Sequence, residues 1–169
     1  MHKIGHIGIA LLFYAPLTFI LLSSGRYALF AGGLVVMLKL AMIPDIDLDA
    51  PLIGHRTWTH TLWFAIGVAV GVAALGLGIQ YGLDYFGIAA VVIPIVFLGG
   101  VGFLAVVAHL AADALNPTGV AALKGASDSR QSLGLFNSDS FWGNWGCLVL
   151  GLVANGVAVF VALQQHLLV

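Results

Sequence analysis

The sequence contains no glutamate; its seven acidic residues are all aspartate. That absence excludes the HExxH metalloprotease helix and the standard calcium-binding EF-hand loop, both of which depend on Glu. There is one cysteine, Cys147, so neither an intrachain disulfide nor a thiolate cluster can form, and any bound metal must be held by His and Asp. Charge is scarce as well. Charged residues make up 8% of the chain and hydrophobic ones 61%, where a soluble domain has ~25% and ~45–50%, so a water-soluble globule is excluded. Six basic residues against seven acidic ones give a net charge of -1 and no basic footprint, so nucleic acid is not an expected partner.

Long apolar runs are what the chain has in abundance. A membrane-spanning helix needs about 20 mostly apolar residues to cross ~30 Å of hydrocarbon. Five stretches qualify, at about 4–22, 27–43, 58–82, 86–115 and 145–168, with a polar loop at 116–144. The expected fold is all-α, a polytopic membrane helix bundle forming a single integral membrane domain in the lipid bilayer. The second stretch is short and contains Lys39, which can snorkel to the nearby interface. Pro94 is expected to kink the fourth. Gly67 and Gly71, then Gly78 and Gly82, form two GxxxG pairs that would let another helix approach the third closely. A secretory leader is the rival reading of the first stretch, because Lys3 precedes an apolar run ending in Ser23, Ser24 and Gly25. Its near-spanning length, and His6 within it, favour a helix that stays in the bundle.

Lys and Arg in the short loops set the expected orientation. With a cytoplasmic N-terminus, Lys3, Arg56, Lys124 and Arg130 lie inside, Lys39 lies near the same boundary, and Arg26 alone lies outside. The C-terminus is then outside. Trp142 and Trp145 suit the interface where the chain re-enters the bilayer.

On this topology the ionisable residues converge on one face. His2 and His6 open the first span; Asp45, Asp47 and Asp49 close the second in MIPDIDLDAP; His55, Arg56 and His60 open the third in GHRTWTHTL; His109 and Asp113 close the fourth in AHLAADALNPTG. His109 and Asp113, four apart on a helix, share a face at a spacing suited to one metal ion. An Asp in a last turn opposes the helix dipole and is costly near hydrocarbon, so a compensating cation is expected. Asp45 and Asp47 follow the helix-ending Pro44 and are expected on an extended turn with shared side-chain directions. Thr57 or Thr59 can cap the third helix. The helix N-terminus favours the neutral, metal-binding form of His60. His2 is expected to be frayed, and His166 lies at the opposite face. Jointly, His6, Asp45, Asp47, His55, His60, His109 and Asp113 could supply one or two metals with nitrogen and oxygen ligands. Zinc suits them best, with manganese or iron as alternatives.

The ordered motifs, a GH near the N-terminus, PDID, GHRTWTHTL and HLAADALNPTG, resemble the YdjM-like family of membrane-bound metal-dependent hydrolases over roughly residues 5–124. The resemblance matches His6 to the family GH, Asp45 and Asp47 to the PDID carboxylates, His55 and His60 to HRxxTH, and His109 and Asp113 to the HxxxD pair. Leu48 departs from the pattern, since many members carry His there. The family is itself distantly similar to zinc-dependent phospholipases C and single-strand nucleases, which implies phosphoester hydrolysis by analogy.

The expected function is therefore an integral membrane hydrolase that cleaves a phosphoester of a lipid or lipid-linked substrate with metal-activated water at the cytoplasmic interface. Asp45 or Asp47 is the candidate general base. Arg56 or Arg130 could neutralise the substrate phosphate. The rival readings are a metal or proton transporter using the same His and Asp residues, and a membrane scaffold with a structural metal.

Overall fold

A computed structural model describes residues 1–48, 58–87, 93–124, 127 and 129–167. Its five α-helices are α1 (Lys3–Ser23), α2 (Tyr27–Leu40), α3 (Leu62–Tyr85), α4 (Ile95–Ala114) and α5 (Phe141–Leu167), and all five runs are long and apolar enough to cross a membrane. Among the described residues there is no strand, only an isolated antiparallel bridge between Val120 and Gln131. At 14 residues, α2 rises only about 21 Å. The chain from its end through the 3-10 turn Pro44–Leu48 completes that span, so its aspartates stand at the end of the crossing.

Helices α1 and α4 form the centre, packed against each other and each against α2. Outside them, α5 lies on α1 and α3 lies on α4, and both outer helices leave most of their apolar residues exposed, as lipid-facing helices must. Small residues decide how close these pairs come. A Cβ on Gly8 would collide with the backbone of Cys147 and Leu148, and one on Gly151 with the Gly8 carbonyl, so α1 and α5 touch backbone to backbone. Gly99 lies likewise against Ala69 and Ala73 of α3.

The GxxxG glycines of α3 behave differently from expectation. A side chain added at Gly67, Gly71, Gly78 or Gly82 would meet nothing within 4 Å, so they line an open face, and the α3 glycine that packs is Gly76, outside both pairs, against Ile93 and Ile95. Two helix starts also shift. Pro94 does not kink a helix begun at residue 86; it stands immediately before α4, where its missing N–H costs nothing, and Phe86 instead closes α3. Helix α3 begins at Leu62 rather than Trp58, because residues 58–60 form a 3-10 turn and Thr61 supplies the cap, its hydroxyl accepting from the Phe64 N–H at 3.2 Å. Thr57 lies outside the described residues.

Candidate metal centre

Four separate pieces of chain bring His and Asp side chains together at one end of the bundle. His6 stands in the first full turn of α1, while His109 and Asp113 sit one turn apart near the end of α4. Asp45 and Asp47 come from the 3-10 turn after α2, and His60 closes the 3-10 turn before α3. The expected extended turn at Asp45 and Asp47 is instead a tight helix. At three residues per turn, side chains two positions apart diverge by about 120°. The two carboxylates accordingly meet opposite edges of the His60 ring, Asp45 near Nε2 and Asp47 near Nδ1.

The innermost atoms are His60 Nε2, His109 Nε2, Asp45 Oδ1 and Asp113 Oδ2. The two nitrogens are 3.2 Å apart; Asp45 Oδ1 lies 3.5 Å from His60 and 3.4 Å from His109, and Asp113 Oδ2 lies 3.4 Å and 3.6 Å from the same atoms. These five separations make two triangles that share the edge between the histidine nitrogens, one closed by Asp45 and the other by Asp113. Donors bonded tetrahedrally to zinc at about 2.0–2.2 Å stand about 3.3–3.6 Å apart, so the edges of both triangles are of the size zinc needs. His6 adds a fifth donor at the side, with its ring stacked on His109 at a centroid distance of 4.0 Å and its Nε2 3.7 Å from the other Asp113 oxygen. The N-terminal amine of Met1 reaches that same oxygen at 3.3 Å.

Hydrogen bonding fixes which ring nitrogens face inward. His109 Nδ1 lies 2.7 Å from the Ala41 carbonyl, which can only accept, so Nδ1 carries the proton and Nε2 presents a lone pair. Thr59 donates its hydroxyl to Asp47 at 2.6 Å, and both groups lie against His60 Nδ1, at 3.0 Å and 3.3 Å, which again leaves Nε2 as the acceptor. Thr59 is thus buried in the support of the centre rather than capping α3. Two lone pairs and two carboxylate oxygens facing one another inside the protein repel unless a cation lies between them, so the donor set fits a divalent metal in both chemistry and size.

His6, Asp47, Thr59, His60, His109 and Asp113 are buried, whereas the Asp45 side chain is 21% exposed and forms the accessible edge of the cluster. Of the other sequence candidates, His55 and Arg56 lie outside the described residues, as does Asp49. Arg130 is exposed in the polar segment, and His2 has its side chain in solvent while its backbone N–H donates to Asn144.

A family model described as YdjM inner membrane protein matches residues 1–168. The chain belongs to the YdjM inner membrane protein family. The match spans every helix that contributes a donor to the centre and also α5. It agrees with the family resemblance carried by the ordered motifs, and with five apolar helices it makes this a multi-pass membrane protein. Among curated proteins and solved structures, none matches this chain.

Proposed function

We propose that this YdjM family member is a metal-dependent hydrolase that cleaves a phosphoester of a lipid or lipid-linked substrate at the cytoplasmic membrane interface. The observation that carries the reading is the cluster of His60, His109, Asp45 and Asp113 donors, buried among the described residues except at the partly exposed Asp45. Zinc held there would supply a Lewis acid for a phosphoryl oxygen and water activated at neutral pH. His6 is near enough to join the set or to share Asp113 with a second ion. Asp47 and Thr59 hold the His60 ring, so of the two candidate bases Asp45, the solvent-facing carboxylate, is the one available to take a proton on Oδ2. Arg56 is the candidate partner for substrate phosphate.

All four tryptophans support an interfacial site, since Trp58, Trp63, Trp142 and Trp145 are exposed near the starts of α3 and α5, at the same end as the centre. A transporter would carry its ionisable groups near the bilayer midplane in broken helices. Here they lie at helix ends. A closed structural metal would leave no donor edge exposed, unlike Asp45.

The test is metal analysis of the purified protein with a phosphoester screen on the wild type, His109→Ala and Asp113→Ala. Bound metal in the wild type and its loss in both variants is the expected result; unchanged metal content in both would sink the site. Reporter fusions at Ser127 and Val169 should report opposite sides, with Ser127 cytoplasmic.

A further inference from the structure

Asn116, the residue after the α4 cap Leu115, is fully buried, yet among the described residues neither its Nδ2 nor its Oδ1 has a hydrogen-bond partner. Its backbone is fully engaged. The N–H donates to the Asp113 carbonyl at 3.2 Å, and its own carbonyl accepts from the Gly119 N–H at 3.0 Å and the Ser132 hydroxyl at 2.7 Å. The first of those acceptor bonds depends on Gly119 turning the chain back at a φ of 58°. The anchoring fixes where the side chain stands and leaves both ends of its amide unused.

The N–H bond from Asn116 to Asp113 spans three residues, and in so tight a turn side chains three apart eclipse each other. Asn116 therefore continues the His109 and Asp113 stripe of α4, one step further toward the polar segment than the metal donors. Burying an amide with both hydrogen bonds unmade is costly, and such a group in a native protein calls for a reason. The carboxylates of the centre repel an anion. A neutral amide further along the same stripe does not.

We propose that Asn116 contacts the oxyanion on which the metal centre acts, Nδ2 donating to a phosphoryl oxygen and Oδ1 accepting from a P–OH group of the same phosphate. The inference rests on the metal-centre reading above. It assigns the substrate head group to the water side of Asp113.

The test uses the full chain in detergent, loaded with zinc, with inorganic phosphate as the probe and thermal unfolding as the readout. Phosphate should raise the melting temperature of the wild type. Asn116→Leu should keep its zinc content and melt no lower without phosphate, while its apparent Kd for phosphate weakens about 10- to 100-fold, the loss expected for one hydrogen bond to a charged group. Asn116→Ser, smaller and polar, should lose phosphate affinity in the same way and guards against a packing fault in the leucine variant. A folded variant that titrates phosphate like the wild type overturns the proposal. So does a wild type that phosphate does not stabilise, and so does failure of both variants to fold, which would make the amide structural. Zinc content reads the metal centre and the phosphate shift reads Asn116, so either can fail alone.

Discussion

At the end of α3 remote from the histidines, Gln80 donates to Asp84 at 2.9 Å and accepts from the Ile93 N–H at 2.7 Å, so a donor meets an acceptor at each step. At the near end, Nε2 of His60 and Nε2 of His109 face each other at 3.2 Å, flanked by two aspartate oxygens, and every inward atom is an acceptor. Tyr81 and Tyr85 mark the first end, the four tryptophans the second. The same residue type, Asp at a helix end, thus meets a hydrogen-bond donor at an exposed position in one place and faces further acceptors in the other, where the proposed cation would lie. What separates the two is whether neighbouring rings have spent their protons elsewhere, as His109 does on the Ala41 carbonyl.

Removing one carboxylate from each end should break this symmetry most strongly. Asp113→Ala should lose its bound metal and lower phosphoester turnover by at least about 10³-fold, since several kcal/mol of transition-state stabilisation go with the ion. Asp84→Ala should keep both within about twofold, as exposed substitutions usually do. Metal analysis and initial rates on the same preparations check this. Equal loss in the two variants would place the effect in folding rather than in the centre.

Asp47→Ala sharpens the contrast within the near end. Asp47 holds Nδ1 of His60, on the opposite edge of the ring from the inner donors, so its loss should loosen the ring and weaken metal affinity about 10- to 100-fold, with the metal still bindable. A chelator competition titration measures it. Loss as complete as in Asp113→Ala would make Asp47 a direct ligand.

The sequence made the spans and the gathering of His and Asp legible, because 20-residue apolar runs and a shortage of charge leave few arrangements open. His109 and Asp113 could be paired from their spacing alone, since a helix fixes which residues share a face. Asp45 and Asp47 could not be told apart in that way. Their roles depend on a 3-10 turn that Pro44 permits but does not require, and on where the His60 ring stands between them. Asn116 was invisible for a similar reason: only the fold reveals that an ordinary loop asparagine is buried with its amide unused. The glycines misled because GxxxG records that a close approach is possible, whereas the partner surface decides whether it happens. Gly8 and Gly151, which carry no such spacing to each other in sequence, make the closest contact.

That difference between glycines gives the next prediction. Gly151→Leu should force α1 and α5 apart and cost about 1–3 kcal/mol, because the obstacle is backbone that cannot rotate away. Gly71→Leu meets open space and should stay within about 0.5 kcal/mol. Unfolding in mixed detergent reads both. Equal destabilisation would mean that the open face of α3 is covered in the membrane.

The smallest effect is expected midway between the two ends, where Thr18 donates to Asn155 at 2.6 Å and Asn155 donates to the carbonyls of Leu11 at 2.6 Å and Gly151 at 3.1 Å. This network joins α1 to α5 with donors and acceptors matched, as at Asp84. Asn155→Ala should cost about 0.6–1.7 kcal/mol, the range for hydrogen bonds between membrane helices, and should leave the metal bound. Replacing both partners, Thr18→Val with Asn155→Leu, should recover part of that loss, since two apolar side chains can substitute for a neutral hydrogen-bonded pair. No such exchange is expected to succeed at the candidate metal centre, where the proposed partner of the inward-facing atoms is an ion and not another side chain.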